Sequence, residues 1–262
     1  MVSRGAILGL GVLIGLVASC RTGPWAPPDW AEPDPAPPPG EPVDEPAEVR
    51  AEELMPLTGR SAVFAVDPDN PAVGAVEVHL EQQPAHWRIR VGGLYETHLL
   101  READGALRAR TEIDHEENVR VEYDPPILLL PEVLRVGEPV TDRTHMVIRN
   151  RRTGAVRQQG PCKVTVELVH RREVRTPAGT MQAWVVRTVR EADLGLADFR
   201  VVITEAYVPQ RGLVAKHTDR VVRLLRAVPQ RTVEHLLLMP PDPADAQPVQ
   251  PPAPVDGEPA SD

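Results

Sequence analysis

Serine is almost missing from this sequence: Ser3, Ser19, Ser61 and Ser261 are the only copies in 262 residues. The first two fall in an apolar leader and the last in a tail, so a serine hydrolase would rest on Ser61 alone. Its setting, Gly59-Arg60-Ser61-Ala62-Val63, lacks the second glycine of a nucleophile elbow. Cysteine is scarcer still. Cys20 and Cys162 are the two copies, too few for a disulfide-dense scaffold or a cysteine zinc set. No glycine-rich phosphate cradle occurs. Lysine is reduced to Lys163 and Lys216, so arginine supplies nearly all of the 29 basic side chains. Aromatic residues are 3 % of the chain, and a concave sheet filled by smaller aliphatic side chains can keep space inside it.

The formal net charge of -9 is unevenly placed. Residues 21–48 carry seven acids and one arginine, and residues 240–262 carry five acids and no base. Residues 49–239 hold 27 basic against 26 acidic side chains. A body so close to neutral has no overall field to draw in nucleic acid.

The chain opens with a basic start at Arg4, an apolar run from Ala6 to Val17, and then Val17-Ala18-Ser19-Cys20. The run is shorter than the roughly 20 residues a spanning helix needs and has the length of a secretory signal core. This order resembles the lipobox of bacterial lipoproteins: hydrophobic, small, small, cysteine. The resemblance implies a signal peptide over 1–19, cleavage before Cys20, and diacylglycerol on its thiol with further acyl chains. Arg21 follows where aspartate would mark inner-membrane retention, which implies the outer membrane, facing the periplasm, in a Gram-negative source. With Cys20 lipidated, Cys162 has no partner for an internal disulfide.

Residues 20–48 then form the lipidated cysteine and an acidic linker, and residues 240–262 a tail of the same composition. The stretches 23–48 and 240–262 together hold 18 of the 30 prolines. Proline-rich acidic chain favours extended conformations and cannot bury a core, so the tail is expected to be disordered. The body, 49–239, reads as β. Val76, Val78 and Leu80 alternate with polar neighbours, as do Trp87, Ile89 and Val91, then Val119, Val121 and Tyr123, then Val164, Val166 and Leu168. Period two places one face in a core and one in water. Turn signals separate these runs at 67–71, Gly92-Gly93, 103–105, 152–154, 177–179 and 209–212. The stretches near 181–190 and 199–208 are apolar on both faces and are expected to be central strands. A turn near 48–55 is the one helical candidate.

Four segments recur in order: Pro126-Ile127-Leu128-Leu129-Leu130-Pro131; Leu134-Arg135-Val136-Gly137-Glu138; Thr176-Pro177-Ala178-Gly179-Thr180; and Tyr207-Val208-Pro209-Gln210-Arg211-Gly212-Leu213-Val214. Their order resembles a set of bacterial envelope lipoproteins. That resemblance implies an all-β fold, a curved antiparallel sheet (half-barrel or open sandwich) with little helix, akin to the sheet of lipoprotein carriers. These motifs are turn chemistry and speak to fold, not activity.

Candidate sites are few. Cys162 reads as a small buried core residue; a nucleophile would need His145 or His170 beside it. The eight histidines form no metal motif, although His79 and His86 could face each other across a hairpin, and Asp114-His115-Glu116-Glu117 is a charged loop. Arg149, Arg151, Arg152 and Arg157 cluster at a hairpin tip. The plain reading is a solvated turn; the functional one is contact with an anion. Ile127, Leu128, Leu129 and Leu130 lie between prolines. They read as a plug across the sheet's mouth or as the wall of an apolar groove.

The expected function is a membrane-anchored, non-enzymatic envelope lipoprotein that binds an amphiphile or supports envelope assembly. The alternative is a protein–protein adaptor, with a hydrolase behind both. The expected partners are the membrane and a lipid-like ligand or an envelope protein. No cofactor or metal is called for.

Overall fold

The computed structural model describes residues 48–66, 75–195, 197–224 and 228–240. The leader, Cys20, the linker up to residue 47 and the tail from 241 lie outside the described residues, as does the whole turn expected at 67–71.

A short strand, β1 (Glu48–Arg50), and one helical turn, α1 (Ala51–Leu54), precede the main sheet. Twelve strands then run antiparallel: β2 (Arg60–Ala65), β3 (Ala75–Gln82), β4 (Trp87–Val91), β5 (Tyr95–Arg101), β6 (Leu107–Asp114), β7 (Val119–Leu130), β9 (Val140–Asn150), β10 (Val156–Thr176), β11 (Gly179–Asp193), β12 (Ala197–Val208), β13 (Gly212–Leu224) and β14 (Val228–Leu238). Between β7 and β9 the chain makes β8 (Val133–Arg135), which leaves the barrel to pair with β1.

The expected all-β fold with almost no helix is present, but the sheet is not open. Each strand pairs with the next, and β14 returns to β2 to close a barrel. Closure removes sheet edges, and it also removes any distinction between central and peripheral strands, so β11 and β12 are ordinary members of the wall. The closing seam is thin. Two residue pairs, Leu237 with Ala65 and Leu238 with Phe64, join β14 to β2, and Met239 N–H extends the join to the Val63 carbonyl at 2.8 Å. The turn signals at Gly92-Gly93, 103–105, 152–154, 177–179 and 209–212 all fall between strands. The Val136-Gly137-Glu138 segment is a turn and not a strand, with Gly137 at φ 77.

The alternation read from the sequence sorts the two faces. Val164, Val166 and Leu168 of β10 and Val119 and Val121 of β7 point inward and are buried. The outer face carries ion pairs between neighbouring strands, among them Arg149–Glu122, Arg88–Glu81, Arg200–Glu191 and Arg231–Asp219. A membrane-spanning barrel shows the opposite arrangement, apolar outside and polar within; this wall faces water. No helix among the described residues is long and apolar enough to cross a membrane.

One part of the barrel is plugged. Val49, Ala51 and Leu54 pack with Leu134 against Ile127, Leu128 and Leu130 in a single apolar cluster. The Ala51 amide donates to Glu132 O at 3.0 Å and fixes the plug to the β7–β8 turn. The proline-bracketed run therefore does join a ladder: Ile127 pairs with Ala109, Leu128 with Arg108 and Leu130 with Leu107, all on β6. The prolines lie where the β7–β9 ladder has stopped at Asp124. Side chains take up the freed carbonyls: Arg108 donates to Pro126 O at 3.0 Å and the Thr144 hydroxyl to Pro125 O.

Candidate functional site

Above the plug the barrel is hollow, with a cavity of about 770 Å³. Its wall has two kinds of surface. Val78, Leu80, Ile89, Val91, Phe64, Leu236 and Leu238 supply an apolar side built from β2, β3, β4 and β14. Tyr95, Thr97, Glu112, Thr188, Arg190, Glu205, Lys216, Thr218 and Glu234 supply a polar side. An aliphatic core in which nearly every large side chain is Val, Leu or Ile leaves room that aromatic rings would otherwise fill.

The polar side is organised by one buried ion pair. Arg190 Nη1 lies 2.9 Å from Glu112 Oε1, with both side chains almost wholly enclosed. Tyr123 donates its hydroxyl to Glu112 Oε2 at 2.8 Å. Burial alone would raise the Glu112 carboxyl, but the Arg190 charge and the hydrogen bonds from Arg190, Tyr123 and Tyr95 outweigh it and hold the group below its ordinary value. Burial, then the Glu112 charge, pushes the Tyr123 phenol well up, so it stays a donor. Next to this pair, Lys216 Nζ sits 3.2 Å from Glu205 Oε1, and Tyr207 donates to Glu205 Oε2 at 2.9 Å. Glu234 differs: its Oε1 is buried without a hydrogen-bond partner. Burial pushes its carboxyl up to about 7 against the pull of Arg220 and Lys216.

At the end of the cavity beside α1, which we refer to as its mouth because Arg211 is exposed there, the lining includes Met55, Arg60, Arg211, Leu213, Met239 and Pro240. Arg60 is half-buried at the start of β2, and burial alone lowers its guanidinium from the ordinary arginine value. Arg211 is exposed in the β12–β13 turn. That turn is tied to the helical turn: the Gln210 amide donates to Glu53 O at 2.9 Å.

The sequence candidates are distributed as follows. Leu129 and Leu130 line the cavity, while Ile127 and Leu128 are buried in the plug's cluster. Ser61 lines the cavity and stands opposite His79, whose Nε2 is 3.2 Å from Glu77. Among the described residues no hydrogen bond joins Ser61 to that imidazole. His79 pairs with Arg90 and not with His86, which instead stacks on His98 with ring centroids 4.7 Å apart. His86 sits in the turn itself, and so the hairpin register never brings it opposite His79.

Cys162 is buried in the core, and burial pushes its thiol up to about 11, the opposite of what a nucleophile needs. It lies within β10, which begins at Val156. Arg149 is committed to Glu122 at 2.9 Å, and Arg151 reaches His115 Nδ1 at 2.6 Å. Arg152 is exposed in the β9–β10 turn, where its amide donates to Asn150 Oδ1 at 3.0 Å, and Arg157 lies in the field of Glu117. These four arginines border a turn away from the cavity. No group of three or more His, Cys, Asp or Glu among the described residues is placed to hold a metal ion.

No protein-family model matches the sequence, and no curated protein matches it. Among solved structures, the chain is similar to a protein described as a candidate lipoprotein from Parabacteroides distasonis ATCC 8503. The match has 11 % identity and a TM-score of 0.35, and covers 70 % of this chain and 95 % of the other.

Proposed function

We propose that this chain is a lipid-anchored envelope protein whose barrel binds an amphiphile and performs no chemistry on it. The observation that carries the reading is the cavity of about 770 Å³, apolar on one side and polar on the other. Ligand sites have volumes of roughly 300–1,000 Å³ and combine apolar walls with a few placed polar groups. A ligand with an acyl or isoprenoid body and a polar head matches both surfaces. The hydrolase alternative has no support in geometry: Ser61 lacks a bonded base, and the Cys162 thiol is buried and raised. An adaptor working through a free sheet edge finds little of one in the closed wall, while one working through the tail would use residues outside those described.

The anchor rests on the leader and the Val17-Ala18-Ser19-Cys20 order. Mass spectrometry of the mature N-terminus is expected to find acylated Cys20. An unmodified cysteine, or a Cys20→Ala protein still firmly in the membrane fraction, would overturn it. Cavity binding is tested with the secreted chain, residues 21–262 with both tails kept, titrated with the neutral apolar fluorophore N-phenylnaphthylamine. Saturable enhancement at micromolar protein, reversed by dodecanol, is the expected result. A signal no greater than that of the denatured chain would end the amphiphile reading.

A further inference from the structure

The cavity's charges are not equally provided for. Glu112 has Arg190, Glu205 has Lys216, and Glu77 has His79 at 3.2 Å. Among the described residues, two cations that line the cavity have no carboxylate. Arg60 reaches only a carbonyl, Gln210 O, at 3.5 Å. Neither Arg60 nor Arg211 forms an ion pair among the described residues, although Glu52, close by on α1, is spent on Arg101. We propose that Arg60 and Arg211 together hold an anionic head, a carboxylate or a phosphate monoester, on the amphiphile that occupies the barrel. This rests on the amphiphile reading above and names the ligand's class.

Three features place the two guanidinium groups as a pair. Arg60 points inward from β2, on the face that its register partner Leu80 shares. Its guanidinium lies against the β12–β13 turn: a Cβ added at Gly212 would sit 2.1 Å from Arg60 Nη2. Only glycine leaves room for that approach, and φ +81 at Gly212 suits glycine as well. Arg211 is the residue between Gln210 and Gly212, so the turn that receives Arg60 also carries the second cation. The turn is held in place before any ligand arrives. The Arg211 amide donates to Val208 O at 3.0 Å, closing the turn, and the Gln210 amide is bound to Glu53. Preorganised donors lose little freedom on binding.

Chemistry favours an anion here. A guanidinium presents forked N–H donors that match two oxygens of a carboxylate or phosphate. A half-buried cation without a counter-charge is costly, and a bound anion would offset that cost. Leu80, Leu213, Leu129 and Leu130 line the same cavity, so a head held by the pair would lead its chain into apolar surroundings. Deeper in, Glu234 stands with Arg220 and Lys216 bearing on it from β13 and Asp114 from β6. Its buried, unbonded carboxyl oxygen would recruit a cationic head instead.

The test uses the secreted chain with N-phenylnaphthylamine bound, displaced by ligands of matched chain and different head: dodecanoate, dodecyl phosphate, dodecanol and dodecylamine. At least one of the two anions is expected to displace the probe at about tenfold lower concentration than dodecanol, the size of one charge-assisted contact. The Arg60→Gln/Arg211→Gln double variant is expected to lose that preference while its affinity for dodecanol and its far-ultraviolet dichroism stay unchanged. The relative strength of the two anions identifies the head. Equal displacement by dodecanol, or a preference that survives the double variant, overturns the proposal. So does dodecylamine as the strongest competitor, which would move the head to Glu234. Failure of the probe to bind the unsubstituted chain instead defeats the amphiphile reading itself.

Discussion

Replacing Glu112 by alanine is expected to destabilise the protein by about 3–5 kcal/mol, because it strands the buried charge of Arg190. At roughly 2–4 °C per kcal/mol for a domain of this size, the melting temperature should fall by about 6–20 °C. The carboxylate is 2 % exposed and accepts from both Arg190 and Tyr123. Glu112→Gln should be nearly as damaging, since it keeps an acceptor for Tyr123 but not the charge. The double variant Glu112→Leu/Arg190→Met should recover much of the loss, because it leaves no buried charge without a partner and strands only the Tyr123 hydroxyl. The pair also sets a pH dependence. The Glu112 carboxyl lies below its ordinary value in the folded state, so its contribution is complete above the unfolded carboxylate range and is lost as pH falls through the depressed folded value. Thermal and urea unfolding of the three variants from neutral to acid pH decides the matter. A Glu112→Ala protein within about 0.5 kcal/mol of the parent, the range of an ordinary surface change, would show that the pair is not buried as described.

The buried pair illustrates what the sequence conceals. Along β6, Leu107 and Ala109 face the core, and simple alternation would then send Thr111 and Ile113 inward and Glu112 to water. The register shifts between Ala109 and Thr111 instead, and the parity reverses: Glu112 and Asp114 become buried. A second shift, between Leu168 and His170, does the same to the facing strand: β11 buries Ala183 and Val185 before it and Val186, Thr188 and Arg190 after it. A bulge of this kind inserts one residue and leaves no compositional mark, so an acid destined for the interior looks like one destined for the surface. Strand positions and turns were legible because they depend on local alternation and on Gly, Pro, Asn and Asp. Closure was not, because β2 and β14 meet through residues 64–65 and 237–238, at opposite ends of the body.

The site shows the same division. Ile127 to Leu130 drew notice as an apolar run in an awkward place, and two of the four do line the cavity. Arg60 and Arg211 attracted none. In the sequence one is the second residue of a failed elbow motif and the other a turn residue, and only the barrel brings Arg60 against the Gln210 carbonyl. The arginine cluster at 149–157 was conspicuous by density, yet Arg149 and Arg151 are occupied by Glu122 and His115. Cationic density along a chain measures solubility as readily as it measures recognition. Arg60, half-buried and without a carboxylate among the described residues, is the rarer and more informative case, and it arises only from the folded barrel.

Gly160→Ala is expected to cost about 3 kcal/mol, the upper end of what over-packing usually costs. Gly160 is buried in β10, opposite Met146 of β9. On its other side the β11–β12 turn comes in close: an added Cβ would lie 1.8 Å from Asp193 O, 2.9 Å from Asp193 C and 3.3 Å from Leu194 Cα. All three are backbone atoms, so no rotamer change relieves the clash. The turn cannot easily retreat, since the Leu194 amide donates to Ala197 O at 2.8 Å and the Gly195 amide to Asp193 Oδ1 at 3.0 Å. Pro161, next in the strand, is tolerated for a related reason. The β10–β11 ladder starts only at Cys162 with Ala192, so the missing amide costs no rung on that side. Gly93→Ala provides the contrast, because a Cβ there would meet nothing within 4 Å. It should be neutral or stabilise by up to about 1 kcal/mol, through the smaller entropy of the unfolded chain. Urea unfolding of both variants measures the difference directly. Equal stabilities would mean that the β11–β12 turn does not press on β10, and that Gly160 is not held by the closeness of that turn.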